Sequence, residues 1–477
     1  MSTNTSSTSI SEISVSGKAF VDATGNRFMV RGIALSTSMA MNGTNDLLAD
    51  TNYDYIKNII LPHLTYLGVN TVRVYQVDHT LNHNKVMNLL SDSNIYVMVG
   101  LVTLSISVDR INPKYTLDLY NRITSVAQEF CAFSNTFAFS VGNEVVFPGE
   151  IYTAMGNNAK AANDTIKKDA AVIKSMIRDL KGYMNTKSLR AVPVGVAMQD
   201  GPASTLKAWG GIGTDVVAQY YAAGNSAERA DYIGINTYRY VNPSTGHGPL
   251  NAYDGLASEV TSLPIPVFLT ESGGLNIPAD SQAPDSTRDW AIVTQVFNNP
   301  TLYQQLSGQV AFEFFEKEGF HGLFAQNADP SKTLIEFTYG QYNGGYKQLA
   351  AQFQTASRIS VPAAGTTPSP STAPAKCNPP LLPCPAPNIK LSIENYAPKV
   401  LKVVQNTVVI GTLPEGSANS PSTTPITASN DWPLLIQDEV SPSNWEPVCQ
   451  VSADKLKDGK VIKNNVSWGS GVACPIN

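Results

Sequence analysis

Along the first 360 residues, short apolar runs alternate with longer stretches in which apolar residues recur every three or four positions. The runs at 28–34, 70–75, 95–101, 137–141, 191–197, 232–236, 266–270 and 310–315 are bounded by polar or turn-forming residues and read as strands. The longest helical stretch, 166–184, aligns Val172, Ile173, Met176, Ile177 and Leu180 on one face, the side a core would cover. Eight strands separated by helices predict an α/β fold, a (β/α)8 barrel over residues 1–360.

That alternation stops abruptly. Residues 361–388 hold nine of the 30 prolines among Ser, Thr and Ala, the composition of a semi-extended linker. Residues 389–477 carry β-type runs with no helical period and read as a small β-rich module. Four of the five cysteines (Cys377, Cys384, Cys449, Cys474) fall in the last hundred or so residues. Their clustering predicts a two-disulfide framework, with all three pairings open, formed in an oxidising compartment. Cys131 lies on a helical pattern and reads as a buried small hydrophobe. Trp432, Trp445 and Trp468 read as the module's core, with stacking on sugar rings as the alternative.

Composition narrows the partner. Charged residues make up 15% of the chain, against roughly 25% in an average soluble protein, so Ser, Thr, Asn and Gln must cover much of the surface. A net charge of −5 supplies no basic field for a phosphate backbone, which argues against nucleic acid. No run of about 20 apolar residues predicts a membrane span. Neither a secretory leader nor a lipid-anchor tail is visible, so the route of export is left open. A monomer is expected.

In a barrel of this kind the chemistry sits just past the C-terminal ends of the strands. The fourth candidate strand ends in Asn143-Glu144 and the seventh in Thr270-Glu271. A single acid at a strand end is commonly a salt-bridge partner, but acids after strands four and seven form the pair that retaining glycosidases use. Retaining cleavage needs one protonated carboxyl at the leaving oxygen and one carboxylate at the anomeric carbon, roughly 5–5.5 Å apart. Glu144 is then the expected acid and base, Glu271 the nucleophile, and Asn143 a partner of the sugar 2-hydroxyl. Arg73 and Tyr75, at the end of strand two, either support Glu271 or belong to a structural ion pair. Tyr238, two residues after Asn236, bonds the nucleophile, lines the substrate groove or is a rim aromatic without a role. Glu313 and Glu316 read as groove or structural acids, and Asp78 with His83 as a loop-bracing pair. The five histidines have no ligand spacing, so no metal is expected, and no phosphate loop or dinucleotide fingerprint implies a cofactor.

The chain resembles glycoside hydrolase family 72, fungal β-1,3-glucanosyltransferases, as a divergent member. The likeness covers about 325 residues and rests on Arg31-Gly-Ile-Ala34, Leu67 to Tyr75, Asp78, Asn82-His83, Gly142-Asn143-Glu144-Val145, Arg229 to Tyr238, and Glu313-Phe314-Phe315-Glu316 with Gly322-Leu323. The resemblance implies an enzyme of the cell wall or secreted space that cuts β-1,3-glucan and passes the new reducing end to another chain. Tyr75, Asn236, Tyr238, Phe312 and Glu313 join Asn143 as the expected substrate contacts. A retaining endo-glucanase or mannanase of the same barrel clan, and a wall-binding protein without activity, are the alternatives. Leu35-Ser36, Gly100-Leu101-Val102 and Phe312-Glu313-Phe314 stand where the family carries Tyr-Gln, Asp-Leu-Ser and Tyr-Glu-Tyr, so polar sugar contacts are fewer.

Overall fold

The structure is a computed structural model that describes residues 10–36, 45–201, 212–239, 252–274, 288, 290–317, 320–325, 333–339, 342–364, 372–385, 388–405, 408–417, 419–429, 434–441, 444–451, 456 and 460–464. Eight parallel strands close a barrel: β1 (Val30–Ala34), β2 (Thr71–Val74), β3 (Tyr96–Gly100), β4 (Thr136–Asn143), β5 (Val194–Gln199), β6 (Tyr232–Asn236), β7 (Val267–Ser272) and β8 (Leu306–Ala311). Alternate positions face outward. Ile33, Val72, Val97, Ile233 and Leu269 pack into one large core shared with the surrounding helices. The longest helix spans Ala159–Thr186 and is capped by the Asn158 side chain, which accepts from the Ala161 N–H.

The N-terminal end of the barrel is plugged. Strands Ser14–Ser16 and Ala19–Val21 form a hairpin that drives Phe20 between Phe137, Phe268 and Tyr232, with ring centroids 4.7, 5.6 and 6.1 Å away. A fully buried aromatic floor leaves only the C-terminal mouth for chemistry.

Strand eight departs from the expected 310–315. It starts at Leu306 because Gly308 lies inside the strand: φ there is +110°, and an added Cβ would sit 2.2 Å from the Val30 carbonyl oxygen. Close approach to β1 is therefore what the glycine serves. Phe312 and Glu313 consequently lie beyond the strand, in the mouth.

The cysteines also depart from expectation. Cys377 and Cys384 remain thiols, so a two-disulfide framework does not hold; Cys449 is disulfide-bonded, and Cys474 lies outside the described residues. The reason is location. Residues 372–385 lie along the barrel: the Leu382 carbonyl accepts from buried Arg178 at 2.7 Å, its N–H donates to Ser175 Oγ at 2.8 Å, and Tyr220 donates to Pro379 O at 2.9 Å. Cys377 packs into the barrel core and Cys384 hydrogen-bonds Asp179. This part of the proline-rich stretch is a packed strap, because buried polar side chains of the long helix need its backbone as partner.

The C-terminal region is β-rich, with β9 (Asn388–Asn395), β10 (Leu401–Gln405), β11 (Val408–Leu413), β12 (Ser422–Ser429), β13 (Leu434–Ser441), β14 (Asn444–Val451) and β15 (Val461–Asn464). They form two sheets, ordered β12-β9-β15 and β11-β10-β13-β14. Leu391, Ile393, Val403, Leu434, Ile436 and Ile462 fill the core between them. Trp432, Trp468 and the side chain of Trp445 lie outside the described residues. Among the described residues no helix is long and apolar enough to cross a membrane.

Candidate active site

Regular alternation along β7 would send Glu271 outward, since Phe268 belongs to the interior plug. The ladder with β6 slips between Leu269 and Glu271, and that irregularity turns the carboxylate into the mouth. A second slip, between Ser140 and Asn143 on β4, precedes Glu144. Glu144 adopts φ +49°, left-handed for a side chain with a Cβ, and its N–H is held by Ala197 O at 2.9 Å. Left-handed backbone costs such a residue about 1–2 kcal/mol, which surrounding packing has to offset.

Arg73 organises the space between them. Its guanidinium is buried; Nη1 donates to Glu271 Oε1 at 3.1 Å and to Thr270 O at 2.7 Å, and Nη2 donates to Asn143 Oδ1 at 2.7 Å. Tyr75 donates to the same Glu271 oxygen at 2.7 Å, and Tyr238 donates to Oε2 at 2.6 Å. Three donors from two strand ends, Arg73 and Tyr75 at β2 and Tyr238 past β6, thus fix both carboxylate oxygens. Burial, joined by the Glu271 charge, raises both tyrosine pKa values, so both hydroxyls remain donors. Asn236 bridges across the barrel: Nδ2 donates to Glu144 Oε1 at 2.9 Å and to Asn143 Oδ1 at 3.0 Å, while Oδ1 accepts from Thr270 Oγ1 at 2.8 Å.

The two carboxyls differ in surroundings. Burial, followed by the negative charge of Glu271, raises the pKa of Glu144, and the Asn236 hydrogen bond only partly opposes this. Glu271 keeps its three donors and is 5% exposed. One group is arranged to hold a proton and the other to accept hydrogen bonds, the division of labour that acid and nucleophile require.

Other expected residues distribute unevenly. Phe312 is half-buried and meets Tyr75 and Tyr238 edge-on, at 6.3 and 6.1 Å. Glu313, read as a groove or structural acid, is 1% exposed; burial, with Glu271 and Glu316 adding and Lys317 opposing, pushes its pKa up to about 8. Asp78 bonds elsewhere than to the two glutamates: its N–H donates to Asp46 and its carboxylate accepts from the Thr80 N–H. It does not pair with His83 directly. His83 bonds Asp46 at 2.7 Å and Glu129 at 2.5 Å, and these bonds outweigh the lowering effect of burial to push it up to about 9. His321 went unassigned in the sequence because it lacks ligand spacing; its ring packs 4.9 Å from Tyr238 and 5.2 Å from Phe312, and burial beside Arg288 pushes it down to about 3. Among the described residues, no group of three or more His, Cys, Asp or Glu side chains is arranged to hold a metal ion.

The sequence profile of a family described as "Glucanosyltransferase" fits residues 2–350. Protein EPD2 of Candida maltosa is 27% identical over 354 residues, covering 72% of this chain and 58% of its own length. 1,3-beta-glucanosyltransferase gas1 of Schizosaccharomyces pombe is 26% identical over 336 residues, covering 69% of this chain and 55% of its own. The chain thus spans little more than half the length of these curated relatives. Among solved structures, Saccharomyces cerevisiae Gas2p in complex with laminaripentaose superposes with a TM-score of 0.58 at 27% identity, over 75% of this chain and 71% of that one.

Proposed function

This chain belongs to the glucanosyltransferase family, glycoside hydrolase family 72, and on that premise we propose that it is a retaining β-1,3-glucan transglycosylase that remodels cell-wall glucan. The observation that carries the reading is the asymmetric pair: Glu271 held at both oxygens by Arg73, Tyr75 and Tyr238, and Glu144 raised in pKa yet tied to the same network through Asn236. The solved complex of Gas2p with laminaripentaose supports β-1,3-linked glucose as the donor.

Two displacements at one carbon make up the reaction. In the first, a Glu271 oxygen bonds the anomeric carbon while the bond to the leaving O3 breaks, and the Glu144 proton goes to that oxygen. Arg73 and the two tyrosines set the direction of attack. In the second, the 3-hydroxyl of an incoming glucan end gives its proton to Glu144 and bonds the same carbon, releasing Glu271. Asn143 Oδ1 is occupied by Arg73 and Asn236, which leaves its amide N–H groups for the sugar 2-hydroxyl.

Incubation with a reduced laminari-oligosaccharide and analysis of chain lengths tests this. Transfer yields products longer than the substrate. Shorter products alone would instead support a retaining glucanase, and no products a binding protein.

A further inference from the structure

Glu271 is followed at once by backbone that leaves the strand, and what holds that backbone is a side chain outside the pair's own network. Arg288 is 3% exposed and lies between two segments leaving the barrel mouth. Its Nη2 donates to Gly273 O at 2.9 Å and to Phe312 O at 2.8 Å, its Nε to Gly274 O at 3.3 Å, and its Nη1 to His321 O. Gly273 and Gly274 follow the nucleophile by two and three residues. Phe312 and His321 belong to the wall beyond β8 that packs on Tyr238, whose hydroxyl holds Glu271 Oε2.

The fit leaves no slack. The guanidinium stacks 4.4 Å from the ring centre of Trp290, and Trp290 Nε1 donates to Gly344 O at 3.1 Å. Gly273 has φ +122°, and an added Cβ would come 2.5 Å from Arg288 Nη2 and 2.4 Å from Trp290 Cζ3. Only a bare glycine lets the stacked pair close on this turn. Bonding four carbonyls from one point requires a planar fork of donors, which arginine has and the single ammonium of lysine lacks.

We infer that Arg288 is a positioning residue for the nucleophile: one guanidinium clamps the turn after Glu271 to the Phe312–His321 wall, and so fixes Tyr238 against the Glu271 carboxylate. This rests on the glycosyl-transfer reading above.

The test compares wild type, Arg288→Lys and Arg288→Met, with laminaripentaose as donor. Circular dichroism melts check folding, and amide hydrogen exchange is followed over residues 268–274 and 312–323. A misplaced catalytic group typically costs about 100-fold in rate, so Arg288→Met should lose that much in kcat with KM nearly unchanged, and Arg288→Lys should recover part of the loss. Exchange in both segments should rise together in both variants. Folded variants with wild-type kcat, a loss confined to KM, or failure of both variants to fold would each overturn the clamp, the last by making Arg288 a determinant of the fold instead. If wild type itself releases nothing from laminaripentaose, the functional reading fails separately. Exchange then decides the clamp: a coupled rise supports it, and unchanged protection overturns it.

Discussion

Glu271→Gln should lower turnover on laminari-oligosaccharides by at least about 10³-fold while leaving the barrel folded. The amide is no nucleophile toward an anomeric carbon. The substitution also replaces one acceptor by an N–H₂ group, so Tyr238 or the Arg73–Tyr75 pair faces a donor where it had an oxygen. Binding of unreacted oligosaccharide should persist, because the sugar's other contacts are untouched. Initial rates and an equilibrium binding curve on the same preparation check this. Turnover equal to wild type would remove Glu271 from the mechanism.

Glu144→Gln should separate the two halves of the reaction. Losing a general acid costs about 10²–10⁴-fold where the leaving group is a sugar hydroxyl. An aryl β-glucan donor with an acidic phenol leaves without protonation, so its first step should survive and appear as a burst of phenol, with the second step now slow. The pH profile should change in a defined sense. Glu144 has a raised pKa and must be protonated for the first step, so kcat/KM of wild type should fall as pH rises through that ionisation. The alkaline fall should vanish in Glu144→Gln with the aryl donor. A variant retaining it would assign that limb to another group.

How much of this was legible in sequence depended on which interactions are local. The barrel was, because period-two and 3.6-residue apolar spacing report each element directly, and β6 occupies the expected residues 232–236. Strand eight was misplaced because Gly308 answers to β1, over 270 residues away, and no local pattern records that approach. Glu144 and Glu271 stood out through their places after strands four and seven, yet the slips that aim them inward are properties of the ladders. Asn236 reads as a substrate contact and Arg73 as a support for Glu271 or an ion-pair residue, but their joining of both acids into one network needs the closed barrel. Arg288 and His321 carried no motif, since their partners are backbone carbonyls and ring faces that any sequence offers. Clustering of Cys377 and Cys384 with the later cysteines along the chain does not mean proximity in one module, because the strap packs both against the barrel.

The central claim is a covalent glycosyl-enzyme on Glu271. A 2-deoxy-2-fluoro β-laminaribiosyl fluoride combines a good leaving group with an electron-withdrawing substituent that slows both steps, so the intermediate accumulates. After digestion and mass spectrometry, the account predicts a single added fluorolaminaribiosyl group, two sugar units, on the peptide containing Glu271, absent from Glu271→Gln. An adduct on Glu144 or Glu313 instead, or active enzyme that never carries an adduct, would contradict it.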